Sequence, residues 1–143
     1  MNKLPALLAT LLLVAPLVQA AVPMRLYKSP TCSCCETYVK YLKVNGFEVD
    51  AINSDDMNRI KQEQRVGNLA SCHTALIGGY VVEGHVPVAA IQKLLRDKPK
   101  LVGISVPGMP ANSPGMGEMK PGTLTVYTIA PQATTKPAVF SVE

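Results

Sequence analysis

Four cysteines are the residues of this 143-residue chain whose spacing points most directly to chemistry. Three of them lie within four positions, in the run Cys32-Ser33-Cys34-Cys35, and the fourth is Cys72. Two structural disulfides fit this spacing poorly, because adjacent cysteines bridge only through a strained ring and a disulfide holds its Cα atoms about 5.5 Å apart. The pattern therefore concentrates sulfur in one place, which favours a thiolate site that binds a soft metal.

Three kinds of metal centre compete for these cysteines. A zinc site takes four ligands at tetrahedral angles, usually as two separated pairs, whereas Cys34 and Cys35 would point about 100° apart on a helix. An iron–sulfur cluster is disfavoured because its usual cysteine spacing is absent. Cu(I) is soft, prefers thiolate, and allows one sulfur to bridge several ions. The cysteines therefore predict copper, bound as Cu(I) in a polynuclear site with more than one ion per chain.

Histidine and methionine add further candidate ligands. His73 directly follows Cys72, and His85 lies in the segment that leads into a predicted helix. Met109 and Met116 lie in a loop rich in glycine and proline, and a thioether is a soft ligand for copper. Structural roles stay open for all four residues, since a single histidine is often part of a core and the methionines could pack beneath the loop as a lid.

Apolar residues at alternating or helical spacing predict the elements that must position these candidates. Strands are predicted at 24–27, 47–52, 74–77, 80–83 and 124–129, and helices at 34–45, about 55–65 and 87–98. Ser33 and Glu36 form a capping-box pattern that starts the first helix at Cys34. Gly78-Gly79 joins two strands into a hairpin, and the Pro, Gly and Met residues of 106–122 predict an irregular loop.

The order strand–helix–strand–helix–hairpin–helix predicts a thioredoxin-like α/β fold, with a central mixed sheet of about four strands flanked by helices. The Pro/Gly/Met-rich loop and an extra strand near the C-terminus complete this prediction. In such a fold the loop before the hairpin packs against the start of the first helix, where redox cysteines lie. Cys72 is therefore expected within reach of Cys32, Cys34 and Cys35, at a helix N-terminus that stabilises thiolates.

The two ends of the chain are predicted to lie outside the metal-binding domain. Residues 1–20 have the short positive start, apolar run and small-residue cleavage pattern of a signal peptide, with an uncleaved anchor as the alternative. Residues 21–129 then form one domain, and residues 130–143 a flexible tail. The periplasm is the expected location, with no membrane contact after cleavage. The net charge of +4 is scattered along the chain, which argues against nucleic acid as a partner.

Four segments carry a further signal: Thr31-Cys32-Ser33-Cys34-Cys35, Ser71-Cys72-His73-Thr74-Ala75, residues 79–87 (GYVVEGHVP) and residues 106–116 (VPGMPANSPGM). In this order they resemble the domain-of-unknown-function 411 family, whose members include CopG-type copper-resistance proteins. The resemblance spans roughly Met24 to Met116, and it departs at Tyr38, where tryptophan is expected.

This resemblance implies a periplasmic, thioredoxin-like, metal-binding protein that is encoded with copper-handling systems. Its partners would be copper ions and other periplasmic copper-handling proteins. The cysteines of the C-x-C-C and Cys-His motifs would form the site, which places that role on Cys32, Cys34, Cys35 and Cys72.

An enzyme is the main competing hypothesis. A periplasmic thiol–disulfide oxidoreductase would use Cys32 and Cys35 as its C-x-x-C pair. The extra thiol inside that motif, and Cys72-His73 in place of the usual cis-proline loop, favour copper binding instead. Cycling of copper between oxidation states and a purely structural disulfide domain are further alternatives. The sequence assigns no catalytic residue.

Overall fold

The structure, a computed structural model, describes residues 20–132 and 136–143. Its elements are β1 (Val22–Lys28), α1 (Ser33–Val44), β2 (Phe47–Asn53), α2 (Met57–Glu63), a short 3-10 helix (Gly67–Leu69), β3 (His73–Ile77), β4 (Tyr80–Glu83), α3 (Val88–Asp97), β5 (Gly103–Ser105), β6 (Thr125–Ile129) and β7 (Val139–Val142). No helix in the described part of the chain is long and apolar enough to cross a membrane. The predicted signal peptide, residues 1–20, lies outside the described residues except for Ala20.

All strands belong to one mixed sheet, in the order β2-β1-β3-β4-β5-β6-β7. β1 is parallel to β2 and antiparallel to β3, and β3 and β4 form the predicted hairpin. β5 runs parallel to β4, and β6 and β7 continue the sheet as antiparallel strands. A mixed α/β fold with one sheet is therefore confirmed. The sheet has seven strands, so the prediction of about four strands is wrong.

The unpredicted strands, β5 and β7, give weak sequence signals. β5 has only three residues, too few for an alternating pattern to stand out. β7 lies in residues 130–143, and the prediction of a flexible tail is wrong for Val139–Val142, which pair with β6. The pairing satisfies backbone groups that would otherwise be left open along the outer side of β6.

The hydrophobic core lies on both faces of the sheet. Helices α1 and α3 cover one face, and the 3-10 helix with the residue before it covers part of the other. The larger cluster includes Tyr38, Leu42, Ile91 and Leu94 from the helices and Leu26, Ala75, Val82 and Ile104 from the strands. The smaller cluster contains Val66, Leu69, Val81 and Ile129. Val81 and Val82 fall in different clusters because successive side chains of a strand point to opposite faces.

The first helix begins differently from the prediction. α1 starts at Ser33, and its N-cap residue is Cys32, whose Sγ accepts a hydrogen bond from the Cys35 N–H at 3.3 Å. The predicted capping box of Ser33 and Glu36 is therefore not the cap. Glu36 instead forms an ion pair with Lys28, with 2.6 Å between the carboxylate oxygen and Nζ. The Cys32 sulfur thus accepts a hydrogen bond from one of the N–H groups that have no partner within the helix.

Candidate metal centre

The strand register brings three separate segments to one end of the sheet. Lys28, the last residue of β1, pairs with His73, the first residue of β3. The loop from β1 into α1 therefore lies beside Cys72. At the same end of the hairpin, Thr74 pairs with Glu83, and the Gly84 N–H donates to the His73 carbonyl at 3.0 Å. His85 consequently returns to the side of Cys72 where the first helix starts.

The four cysteines meet at the N-terminus of α1. Their sulfur atoms all lie within 4.8 Å of one another. Cys32 and Cys35 form a disulfide, while Cys34 and Cys72 carry free thiols. The Cys34 Sγ lies 3.4 Å from that of Cys32 and 3.9 Å from that of Cys72. The predicted convergence of Cys72 with the other three cysteines is therefore confirmed.

Two imidazoles lie directly behind Cys72. Its Sγ is 2.9 Å from Nε2 of His85 and 3.4 Å from Nδ1 of His73, and both histidine side chains are fully buried. His85 Nδ1 lies 2.7 Å from the Pro114 carbonyl, which can only accept, so Nδ1 carries the proton and the Nε2 lone pair faces Cys72. His73 Nε2 is buried without a hydrogen-bond partner among the described residues.

Tyr38 packs against both histidines from α1. Its ring centroid lies 4.6 Å from that of His73 in a stacked arrangement and 5.3 Å from that of His85 in an edge-on arrangement. The Tyr38 hydroxyl donates to the Val86 carbonyl at 2.7 Å. Burial raises the pKa of this phenol well above its ordinary value, so Tyr38 is a neutral packing group. It fixes the two ring planes that present nitrogen atoms to Cys72.

A buried carboxylate anchors the loop that carries Cys72. Glu83 is fully buried and accepts hydrogen bonds from the Ser71 N–H at 2.7 Å and the Thr74 hydroxyl at 2.6 Å. Lys61, a residue of α2, supplies the compensating charge: its Nζ lies 2.5 Å from Oε1 of Glu83. Buried charges persist in proteins when they are paired and hydrogen-bonded in this way. Glu83 thus fixes the backbone immediately before Cys72.

The 106–122 segment is irregular, as predicted, and closes over this end of the sheet. The Ser71 hydroxyl donates to the Gly108 carbonyl, and the Gly108 N–H donates to the Ala70 carbonyl at 3.0 Å. A Cβ on Gly84, whose φ is +75°, would lie 2.5 Å from Ser71 and 2.6 Å from the Val106 carbonyl. Only glycine therefore allows these three segments to approach so closely.

The two predicted methionine ligands lie next to points where this loop contacts the site. Met109 follows Gly108 and is 59% exposed. Met116 is partly buried and follows Gly115, whose backbone packs against that of Tyr38. The role of the two methionines as ligands stays a prediction.

Burial sets the protonation state of the metal-free centre. It raises the pKa of the Cys72 thiol to about 11, with a smaller contribution from Cys34. It lowers the pKa of His73 to about 3, and that of His85 to below its ordinary value. At neutral pH the centre therefore holds a thiol beside two neutral imidazoles. The imidazoles are already in the form that binds a metal, whereas the Cys72 thiol must release its proton when a cation enters.

The raised pKa of Cys72 predicts slow alkylation. Because the thiolate is the nucleophile, Cys72 of the folded protein should react with iodoacetamide about 100-fold more slowly at pH 8 than in the unfolded chain. The folded rate should then climb steeply between pH 9 and 11. Peptide mapping by mass spectrometry after timed quenching measures Cys72 alone, with the guanidinium-unfolded chain as the control. Equal rates at pH 8 would contradict the prediction.

Several residues of this centre carry no clear sequence signal. Tyr38 and Lys61 lie within predicted helices and Glu83 within a predicted strand, and no pattern around them predicts a contact with the site. The contact between the Pro114 carbonyl and His85 spans 29 positions, and no local pattern predicts it.

Known proteins resemble this chain in both sequence and structure. The model of a family described as a protein of unknown function, DUF411, matches residues 69–116. Two solved structures, described as copper resistance protein CopG form 1 and form 2, each share 35% identity, cover 86% of this chain and 98% of their own, and give a TM-score of 0.76. None of the curated proteins matches the chain. The chain belongs to the DUF411 family of CopG-type copper-resistance proteins.

Proposed function

We propose that this protein is a periplasmic copper-binding protein of copper resistance and homeostasis, built on a thioredoxin-like domain. It holds Cu(I) in a cysteine-bridged, polynuclear site. The observation that carries the proposal is the convergence of Cys32, Cys34, Cys35 and Cys72, whose sulfurs lie within 4.8 Å of one another at the start of α1. Similarity to copper resistance proteins supports it independently.

The chemistry of the donor set fits Cu(I). Four sulfurs so close together suit a soft ion and the bridging of one sulfur between ions. When bound, cuprous ions would supply the positive charge that allows four thiolates to converge. Cys32 and Cys35 become ligands only after a dithiol reductant has supplied two electrons and two protons to their disulfide, and the two thiols release those protons when they bind the metal. The copper-binding form is therefore the reduced form. His73, His85, Met109 and Met116 are the additional donors expected around these sulfurs.

The protein's own groups prepare this site in three ways. The N-terminus of α1 offers N–H groups and a partial positive charge to the thiolates of its first turn. Lys28 pairs with Glu36, which offsets the negative charge of the carboxylate that directly follows Cys35 in sequence. The hydrogen bonds of Glu83 hold the loop before Cys72. The periplasmic location rests on the signal-peptide pattern of residues 1–20, and the thioredoxin-like assignment rests on the order and direction of β1 to β4.

Copper loading is the experiment that tests the proposal. The protein is reduced, loaded with Cu(I) without oxygen, desalted, and analysed for copper per chain. More than one tightly held copper is expected. Cys72→Ser and Cys35→Ser should each lose most of it, because each removes a bridging sulfur. Ser33→Ala, inside the same motif but without a soft donor, is the matched control. One copper or less in the parent protein would overturn the polynuclear site.

A thiol–disulfide oxidoreductase is the second candidate, and the Cys32–Cys35 disulfide at the start of a helix favours it. In its reduced form this pair would exchange with a substrate disulfide through a mixed disulfide at one of the two cysteines, which leaves the substrate reduced and the Cys32–Cys35 bond formed. An insulin-reduction assay separates the candidates. Activity that Cys34→Ser and Cys72→Ser leave unchanged, in a protein that retains no copper, would favour the oxidoreductase.

A further inference from the structure

The metal donors of this centre fall into two groups that share one atom. The first contains the sulfurs of Cys32, Cys34, Cys35 and Cys72. The second contains the Cys72 sulfur with one nitrogen each from His73 and His85, again within 4.8 Å of one another. The proposed Cu(I) site uses the first group in full and treats the imidazoles as additional donors.

The disulfide affects these groups unequally. While Cys32 and Cys35 are bonded to each other, the first group has only Cys34 and Cys72 left as thiols. The second group contains neither disulfide cysteine, so it keeps every donor. The oxidised protein therefore still has one complete three-donor set, in which the two imidazoles are buried and Cys72 is partly exposed.

We infer that Cys72, His73 and His85 form a second metal site, which binds one borderline divalent cation such as Zn(II) while Cys32 and Cys35 are joined. One thiolate and two imidazoles form a donor set that suits Zn(II) and its neighbours, whereas the all-sulfur group suits Cu(I). Because Cys72 belongs to both groups, the inference concerns the same centre as the proposed function, but it does not require the copper cluster to form.

The geometry lies close to what a tetrahedral ion needs. Bonds of about 2.3 Å to sulfur and 2.0–2.1 Å to nitrogen place these donors roughly 3.5 Å apart. The Cys72 Sγ is already 3.4 Å from His73 Nδ1, and its 2.9 Å contact with His85 Nε2 must open slightly. Cys72 is partly exposed and both imidazoles are buried, so the cation would enter on the cysteine side.

Each imidazole is arranged as a ligand. The Pro114 carbonyl accepts the His85 Nδ1 proton, which is the outer contact that fixes the tautomer of metal-binding histidines. His73 is held by stacking on Tyr38, and its only polar side-chain contact among the described residues is with the Cys72 sulfur. His73 can therefore exchange that contact for a metal bond without losing another hydrogen bond.

Cobalt titration of the disulfide form tests the inference. The full protein is isolated without reductant, its Cys32–Cys35 bond is verified by peptide mapping, and Co(II) is added as a coloured substitute for Zn(II). We expect one Co(II) per chain, a sulfur-to-cobalt charge-transfer band of one-thiolate intensity, and displacement by Zn(II). His85→Gln and Cys72→Ser should weaken binding at least about 10-fold. Circular dichroism and unfolding curves verify that both variants are folded.

Cys34→Ser separates this inference from the proposed function. Cys34 belongs only to the all-sulfur group, so this variant should bind Co(II) like the parent in the disulfide form while it loses Cu(I) in the reduced form. Absence of Co(II) binding in the parent, a two-thiolate band, or equal loss in Cys34→Ser would overturn the second site. None of these results alters the copper count of the reduced protein, which tests the proposed function separately.

Discussion

Replacing Tyr38 with alanine is expected to lower the free energy of unfolding by about 3–5 kcal/mol, the range found when a large aromatic side chain is removed from a core. Tyr38 is fully buried, and its ring contacts both imidazoles of the metal centre. The cavity would open directly behind His73 and His85, so the ring planes lose their support. Denaturant unfolding of the metal-free protein measures the loss.

Tyr38→Phe is the matched control for this prediction. It keeps the ring and removes the hydroxyl that donates to the Val86 carbonyl, so it should cost about 1 kcal/mol or slightly more, as for one buried hydrogen bond. Its metal affinity should remain near that of the parent. Equal unfolding free energies for the alanine and phenylalanine variants would show that ring packing does not stabilise this centre.

Lys61→Met should cost about 3–5 kcal/mol, because removal of one partner leaves a buried charge uncompensated. That charge is the Glu83 carboxylate, which is fully buried and lies 2.5 Å from Lys61 Nζ. Glu83→Gln should cost less, since the glutamine oxygen can still accept the Ser71 N–H while Lys61 reaches solvent more readily. Urea or guanidinium midpoints, with the slope held constant, provide both values.

An exposed pair on the same helix supplies the control. Arg59 and Glu63 lie 2.9 Å apart with more than half of each side chain exposed, so Arg59→Met should change stability by no more than about 0.5 kcal/mol. The double variant Lys61→Met with Glu83→Gln should recover part of the single-variant loss. A Lys61→Met loss as small as that of Arg59→Met would contradict the burial-based account.

The sequence predicts the parts of this structure that depend on local patterns. Alternation and the Gly78-Gly79 turn identify the hairpin, and the order of elements places Cys72 beside the helix start. Local patterns do not predict β5, because it has only three residues, or β7, because it forms only by pairing with β6. The cysteines of the site can be predicted, because three of the four lie within four positions of the sequence.

The parts of the site that could not be predicted are set by long-range contacts. Position 85 is recognisable as a candidate from its residue type, but its 2.9 Å contact with Cys72 depends on how the chain folds back after β4. Glu83 and Lys61 are 22 positions apart and belong to different elements, so their pairing appears only in three dimensions. Local spacing also cannot tell which cysteines are bonded, since Cys32 has sulfur neighbours at two and three positions.

The short span of the Cys32–Cys35 bridge has a consequence for how the molecule withstands reduction. A crosslink between residues three positions apart restricts the unfolded chain little: its loop-closure contribution is about 2 kcal/mol, against about 4.7 kcal/mol for a 100-residue loop. Opening it should therefore lower the melting temperature by less than half as much as opening such a long loop would. The sheet, its helices and the buried carboxylate would persist after reduction. The redox state of the compartment would therefore change which sulfurs are available as ligands without unfolding the domain.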